Sequence, residues 1–446
     1  MKKTKGTFGA GMRWSTRMLS MGMVIGVIGY FNLYGSSVLG LDTGVLGVLS
    51  VICSIIDVIT NFIVANYIDS HHPKLGKGRP YELFLIPAWI AVVLMFAIPS
   101  GLSAIVKYVL YFLLSVLYGP VFATFLNCAE SVYFAHAYKD EDRRIGVQSV
   151  YAIMTIIAYL IPGLLLPVLL GHFQTVEHGW TIMMVLVGVP FLAIGLIRFL
   201  TVKEENEGED EPQVARVTLR ESIKALFTNK YVVLVAIANL TYQIGNGMAN
   251  MINTYYFTYV MGRVELLSAV SVLSAVCVVF IPMYTKMMRK MGKGPVLKYA
   301  MVISAIGYVV RFFAYQNFEL IVFGSFLVAL GYVPMAMISN LMILDCMDFG
   351  QWKNGKRLES AIFAGVSVGA TIGPNLGVAV AGIALSVAGF AGTALVQTPM
   401  ALDGIRLAFS IIPAIITAVT VFVLQFYDLD KRLPAIKKEL MDREHK

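Results

Sequence analysis

The sequence predicts an all-α membrane protein with twelve transmembrane helices in two six-helix bundles. Hydrophobic residues make up 58% of the 446-residue chain and charged residues only 14%, and the mean hydropathy is +0.74. Soluble proteins contain about half apolar residues even when glycine is counted. Lipid must therefore solvate much of the surface. Two further patterns, the recurring apolar runs and the placement of basic residues, predict the number of spans and their direction.

Twelve apolar runs recur along the chain, each near or above the ~20 residues that cross a bilayer as a helix. We number these runs as spans one to twelve. They cover residues 18–40, 44–68, 82–101, 106–135, 147–170, 180–200, 231–260, 266–285, 297–316, 320–344, 360–387 and 404–426. Because the number of crossings is even, the C-terminus returns to the side on which the chain begins.

The Lys and Arg residues lie almost entirely on one side of this arrangement. Of the 35, all but four lie in the two tails, the even-numbered loops and the central loop. The positive-inside rule then makes both termini cytoplasmic, in a multi-pass protein of the inner or plasma membrane. The net charge of +8 and the pI near 9.1 reflect this topology, so no nucleic-acid partner is expected.

A charged, acidic linker divides the chain into two halves. The predicted parts are an N-terminal six-helix bundle (1–201), a cytoplasmic linker (202–230), a C-terminal six-helix bundle (231–430) and a cytoplasmic tail (431–446). KLGKG at 74–78 follows span two, and KMGKG at 290–294 follows span eight, the second span of its own half. Such a repeat is typical of transporter halves related by an axis along the membrane normal. We expect one chain in the bilayer to function as a monomer.

Four stretches together resemble a known family. They are D-x-x-x-[DN] in span two, D-x(5)-LGKGRPYEL after it, YQIGNGMANMINTYYFTYVMG in span seven and DCMDFGQWKNGKRLES after span ten. The chain is similar to the glycoside, pentoside, hexuronide and cation symporters of the major facilitator superfamily, the family of melibiose permease. The resemblance implies a central cavity between two bundles, transport by alternating access, and a sugar and a cation as substrates.

The family's charged positions are only partly kept. Asp57 falls on one of the family's cation-site acids, but the second acid, one helical turn on, is Asn61. Other charged positions of the family fall on uncharged residues, namely Met21, Asn127, Ala152 and Thr371. The resemblance therefore implies the scaffold, whereas sodium coupling and an ordinary galactoside substrate are not implied by these residues.

Asp57 is the first candidate for coupling. An ionised carboxylate near the middle of a span costs roughly 2.5–3.5 kcal/mol on insertion scales, so it normally faces a cavity. Asn61 stands on the same helix face, four residues on. The pair could hold a cation, or Asp57 could bind and release a proton. We favour H⁺ over Na⁺ and expect no other cofactor. The alternative is a protonated Asp57 that only hydrogen-bonds to another helix.

Span four carries a second candidate acid, Glu130, between Asn127 and Ser131. Asn127 and Ser131 share a helix face because they are four residues apart, and Glu130 lies beside that face. These residues could bind hydroxyl groups of the solute, or Glu130 could pass a proton to Asp57. The alternative is a structural ion pair between Glu130 and Arg143 or Arg144.

Spans seven and eleven supply candidate solute-binding groups. Gln243, Asn246 and Asn250 lie on one face of span seven, and an amide can both donate to and accept from a neutral sugar. In span eleven Thr371 and Asn375 share a face, about 200° from a stripe of glycines at every fourth position from 365 to 377. The stripe predicts close packing against another helix. Amides that only join helices are the alternative for span seven.

The basic loops are the candidate cytoplasmic gate. The predicted gate residues are Asp69, Lys77 and Arg79 after span two, and Asp348, Arg357 and Glu359 after span ten. The loop after span two resembles a loop motif of the superfamily, whose charges hold the two halves together when the cavity faces outward. A solvated run of charges is the alternative.

The sequence thus predicts a secondary active transporter for a small polar solute, most simply a sugar or glycoside, coupled to protons through Asp57. The alternatives are a uniporter or exchanger of the same fold, and a transporter of an amphipathic solute such as a lipid or drug. A membrane enzyme is not predicted, because neither H-E-x-x-H nor G-x-x-x-x-G-K-[ST] occurs in the sequence.

Overall fold

The computed structural model describes residues 2–71, 73, 75–138, 140–204, 229–354, 359–394 and 396–444, and all regular structure within them is helical. The first half holds α1 (Lys2–Ile28), α2 (Phe31–Ser37), α3 (Thr43–Ser70), α4 (Leu85–Met95), α5 (Ala104–Val116), α6 (Thr124–Ala137), α7 (Glu141–Phe173) and α8 (Gly179–Thr201). The second half holds α9 (Lys230–Tyr255), α10 (Leu267–Val276), α11 (Ile281–Met291), α12 (Lys293–Ala314), α13 (Phe318–Asn354), α14 (Glu359–Val387), α15 (Pro399–Phe409), α16 (Ile411–Leu424) and α17 (Leu429–Glu444).

Among the described residues, 10 helical stretches are long and apolar enough to cross a membrane. Two of the predicted spans, three and eight, are not among these stretches. Span three begins as a 3₁₀ turn, Arg79–Phe84, and α4 then ends at Met95 before the turn-forming sequence AIPSG. Span eight is divided between α10 and α11 by a 3₁₀ turn at Cys277–Phe280. Pro80 lies at the start of the first 3₁₀ turn and Pro282 at the start of α11, which are positions where the missing N–H of proline is tolerated.

The chain forms two compact units. Unit 1 comprises Met1–Glu209, Phe257–Val272 and Leu385–Ala401, and unit 2 comprises Asp210–Tyr256, Leu273–Ala384 and Leu402–Lys446. The predicted boundaries at 201, 230 and 430 stay predictions.

Two glycines let helices approach closely inside unit 1. A Cβ at Gly22 of α1 would lie 2.5 Å from the carbonyl oxygen of Ala158, and one at Gly26 would lie 2.3 Å from Cβ of Pro162. Both partners belong to α7. At the start of α3, Oδ1 of Asp42 accepts from the backbone N–H of Val45 at 2.9 Å and caps the helix.

The core of unit 2 joins α9, α12, α13 and α16 to the tail helix α17. Leu429 and Ile436 of α17 are buried in the same apolar cluster as Val235, Met301 and Met342. The tail helix after span twelve is therefore packed against the other helices of unit 2 through an apolar face.

The predicted glycine stripe packs against another helix, which confirms that part of the sequence analysis. In α14, a Cβ at Gly377 would lie 2.0 Å from the carbonyl oxygen of Ile244, and one at Gly373 would lie 2.6 Å from Cβ of Gln243. Both partners belong to α9. On α9, a Cβ at Gly247 would lie 1.9 Å from the carbonyl oxygen of Pro374. The backbones of α9 and α14 are in direct contact.

We expect Gly377→Ala to destabilise the protein by about 1–3 kcal/mol or more, because the added methyl group overlaps backbone that cannot turn away. Gly369→Ala is the matched control, since its Cβ would meet only Leu240 at the ordinary distance of 3.9 Å. Thermal unfolding of the two variants in detergent, followed by size-exclusion chromatography, measures the difference. Equal midpoints would contradict the close contact of α9 and α14.

Candidate functional site

Asp57 of α3 is held by neutral groups. Its Oδ1 accepts a hydrogen bond from the hydroxyl of Thr124 at 2.7 Å and another from Nδ2 of Asn61 at 3.2 Å. Thr124 begins α6 directly after a π-helical segment, Leu117–Ala123, which contains Pro120. Such segments are frequent at functional sites. These hydrogen bonds fix the orientation of the Asp57 side chain. The side chain is only half-buried, so it is still accessible.

The amide of Asn61 presents its nitrogen to Asp57. Besides the contact with Oδ1, the same Nδ2 donates to the backbone carbonyl of Asp57 at 2.8 Å. The amide oxygen of Asn61 instead accepts from the thiol of Cys128, with the sulfur 3.5 Å away. A cation next to Asp57 would need oxygen ligands, whereas the group that replaces the family's second acid offers N–H.

Glu130 of α6 lies in a cluster of buried charges. Its carboxylate contacts Nη2 of Arg17 and, at 3.0 Å, Nη1 of Arg198, and it accepts from the hydroxyl of Tyr151 at 3.1 Å. Arg198 also binds Glu82, with Nε 3.0 Å from Oε2. The cluster holds two guanidinium and two carboxylate groups, so its formal charge is zero.

The structural ion pair considered for Glu130 exists, but with other partners than Arg143 and Arg144. Arg144 donates to the backbone carbonyl of Ala135 at 2.9 Å, and Arg143 lies over the ring of Tyr138 at 5.4 Å. Glu130 turns into the interior of unit 1, where α1 and α8 bring their own arginines. Its part in coupling stays a prediction.

The neighbours of Glu130 have a different environment. Asn127 and Ser131 are both exposed on α6, one helical turn apart. Neither Asn127 nor Ser131 belongs to the charge cluster. A role of these two residues in solute binding stays a prediction.

The amide face of α9 lies in unit 2 beside α14. Gln243 and Asn246 are half-buried and Asn250 is exposed. One turn further, Oδ1 of Asn253 is buried without a hydrogen-bond partner among the described residues. Gln243 borders the contact with Gly373 described above. This face therefore holds unsatisfied or accessible amides next to a close helix contact.

Thr371 and Asn375 are half-buried on α14. Since the glycine face of α14 contacts α9, helix geometry turns these two residues about 200° away from that contact. The structure therefore brings α9 and α14 together but does not place the two predicted polar faces against each other.

The two basic glycine loops are each bound by a carboxylate, an arrangement that the repeated pentapeptide indicates only in part. After span two, Oε1 of Glu204 accepts from the backbone N–H groups of Gly78 and Arg79, both at 2.8 Å. After span eight, Oδ2 of Asp430 accepts from the backbone N–H of Gly294 at 2.6 Å. Burial raises the pKa of Asp430. In each unit a carboxylate beyond the last span thus binds the loop that follows the second.

The predicted gate residues lie in mixed surroundings. Arg79 donates from Nε and Nη2 to the backbone carbonyl of Phe199 at 3.1 and 2.9 Å, and Lys77 is half-buried. Asp348 pairs with Lys437 of the tail helix at 3.4 Å. The side chains of Asp69 and Glu359, and the whole of Arg357, lie outside the described residues. A gating role for this set stays a prediction.

A helical fold with polar groups on its apolar spans is typical of a membrane transporter. The model of the MFS/sugar transport protein family, within the major facilitator superfamily, matches residues 15–431. The chain therefore belongs to this family. This confirms the resemblance stated from the sequence, the fold class, and a transporter rather than an enzyme.

Individual relatives agree over nearly the whole chain. The isoprimeverose transporter of Lactiplantibacillus pentosus is 26% identical, over 94% of this chain and 87% of its own length. The inner membrane symporter YicJ of Escherichia coli strain K12 is 24% identical, over 89% of this chain and 86% of its own. The crystal structure of a point mutant of the nucleoside transporter NupG matches with a TM-score of 0.67 at 14% identity, over 94% of this chain and 98% of its own. It shares the fold.

Proposed function

We propose that the protein imports a neutral sugar or glycoside together with protons, by alternating access in the cell membrane, with both termini in the cytoplasm. The observation that carries the proposal is the environment of Asp57, a carboxylate within a span that only neutral donors contact. Its second oxygen, Oδ2, has no hydrogen-bond partner among the described residues and is the atom that would receive the proton. The multi-pass transporter family supports the membrane location.

Protons fit this site better than Na⁺. A metal cation needs several oxygen ligands, and Asn61 turns its amide nitrogen toward Asp57 while its oxygen is bound by Cys128. One carboxylate with no second anion is sufficient for a proton. Symport itself is supported by the relative that is named a symporter.

A neutral solute fits the amides of α9. Gln243, Asn246 and Asn250 can each donate to and accept from a hydroxyl group. No Lys or Arg lies among positions 231–262, which is the stretch that contains this face. An isoprimeverose transporter among the relatives supports a glycoside as the solute class.

Uptake into proteoliposomes tests the proposal, with isoprimeverose as the first of a panel of neutral glycosides and glucuronides. We expect accumulation under an inwardly directed pH gradient, acidification of the lumen when sugar is added, and no response to a Na⁺ gradient. Uptake that follows Na⁺ and ignores pH would overturn proton coupling. Preference for glucuronides would overturn the neutral solute.

We expect Gln243→Ala and Asn246→Ala each to weaken sugar binding about three- to tenfold, which corresponds to about one hydrogen bond. Thr241→Val is the matched control, because the Thr241 hydroxyl faces that of Thr420 at 2.7 Å and not the amide face. Isothermal titration of the purified variants gives the dissociation constants. Unchanged affinity in both amide variants would remove this face from the binding site.

A further inference from the structure

A long apolar groove lies on the surface of unit 2 between α12 and α16. Its volume is about 560 Å³, and only valine, alanine and isoleucine line it. The α12 side includes Val302, Ile306 and Val309, and the α16 side includes Ala414, Ile415 and Ala418. Ile306 is 51% exposed and Ile415 is 60% exposed, so the groove is open along one side. Both helices belong to candidate membrane spans, so the groove lies at the depth of the hydrocarbon.

The groove has the length of one lipid leaflet. Its lining on α16 runs from Ile411 to Val421, which is about 15 Å of helix, or half of the ~30 Å hydrocarbon core. The lining includes Ala305, Ala414 and Ala418, whose short side chains leave space beside the larger valine and isoleucine side chains. An extended acyl chain fits an open apolar groove of this length.

A basic residue lies one helical turn beyond one end of the groove. Lys298 precedes Val302 by four residues, so it lies on the groove face of α12, one turn nearer the start of that helix at Lys293. The positive-inside pattern assigns that end to the cytoplasm. Lys298 is half-buried and has no ion-pair partner among the described residues. Its neighbour Tyr299 is 52% exposed, as expected for an aromatic residue at a membrane interface.

A second lysine lies at the same end of unit 2. Asp430 of α17 binds the backbone N–H of Gly294 near the start of α12, and the next residue, Lys431, is exposed. Lysine stems lie along apolar surface while their ammonium groups reach the headgroup region. The polar end of the groove thus carries Lys298 and Lys431 against the one carboxylate of Asp430, which is a net positive charge for these three groups.

We propose that this groove binds one anionic phospholipid of the cytoplasmic leaflet, with an acyl chain between α12 and α16 and the headgroup phosphate at Lys298. Charge decides between occupants. A second copy of the chain or a zwitterionic lipid would gain less from an unpaired lysine at the end of an apolar channel. Each Lys or Arg near an anionic lipid surface contributes enough to shift binding about fivefold.

Native mass spectrometry of the full-length protein in detergent tests the proposal, with dioleoyl phosphatidylglycerol and dioleoyl phosphatidylcholine as probes. We expect one tightly retained phosphatidylglycerol, with about fivefold or greater preference over phosphatidylcholine. Lys298→Gln should remove that preference, because it removes the positive charge. It should leave the binding of the acyl chain itself, because the groove is unchanged. Ala418→Phe and the smaller Ala414→Leu should weaken retention of phosphatidylglycerol, because they fill the groove.

Ala193→Phe is the matched control, since Ala193 is an exposed alanine on α8 and lies outside this groove. Lipid retention is compared only among variants whose unfolding midpoints equal that of the unmodified protein. Equal retention of both lipids by the unmodified protein would overturn the proposal, and so would an unchanged preference in Lys298→Gln. Unchanged retention in both alanine variants would overturn it too. A dimer that disappears in Ala418→Phe would assign the groove to a second copy of the chain.

Discussion

Replacing Asp57 by asparagine is expected to abolish accumulation of the sugar against its gradient. One elementary charge moved across 100 mV supplies about 2.3 kcal/mol, enough for about 50-fold accumulation when one proton accompanies each sugar. Asparagine keeps the shape of the side chain and can still bind Thr124, but it cannot take up a proton. The concentration ratio at steady state should therefore fall from about 50 to about one. Labelled sugar in energised proteoliposomes measures that ratio.

The same variant should still exchange sugar. Counterflow, in which unlabelled sugar inside drives entry of labelled sugar, needs the solute site and the conformational change but no net proton movement. Retained counterflow distinguishes loss of coupling from misfolding. Accumulation at the unmodified level in Asp57→Asn would remove Asp57 from coupling, and loss of both activities would indicate a structural role.

Thr124→Val offers a smaller change at the same site. It removes the 2.7 Å hydrogen bond to Oδ1 of Asp57 without changing the carboxylate. A hydrogen bond to the charged form favours ionisation, so its loss should favour the protonated form. The pH at which uptake is half-maximal should then rise. An unchanged pH profile would mean that Thr124 only packs against Asp57.

The sequence predicts contacts within one helix far better than contacts between helices. The spacing of Asp57 and Asn61 predicts one helix face, and the two side chains are in contact at 3.2 Å. Thr124 and Cys128, which complete the surroundings of that pair, are 67 positions away from their partners. Helical periodicity gives the face of each helix but not the register between two helices, so these two residues were not predicted.

The charge cluster was missed for a related reason. Arg198 lies in the last turn of a span, where a basic residue is typical of the cytoplasmic boundary. Its side chain is 0% exposed and turns inward to Glu82 and Glu130.

The repeated glycine loops did contain a usable signal, because each half has an acid shortly after its last span, Glu204 in one and Asp430 in the other.

Removing Arg198 should produce the largest loss of stability of any single substitution considered for unit 1. Its guanidinium contacts both carboxylates of the cluster and lies over the ring of Trp14 at 4.2 Å. In Arg198→Met, two carboxylates remain with Arg17 alone, so one buried negative charge is uncompensated. Breaking such a pair costs about 3–5 kcal/mol. We expect a markedly lower unfolding midpoint in detergent and a low yield of monodisperse protein.

A compensating substitution separates the charge from the packing. Arg198→Met combined with Glu82→Gln leaves one arginine, Arg17, and one glutamate, Glu130, so the cluster is neutral again. Removing both partners of a buried pair is often nearly neutral, whereas removing one is not. The double variant should therefore regain most of the lost stability. Arg143→Met is the matched control, because Arg143 is exposed and should change stability by no more than about 0.5 kcal/mol. If the double variant is as unstable as Arg198→Met, the cluster stabilises unit 1 through packing around the guanidinium rather than through charge balance.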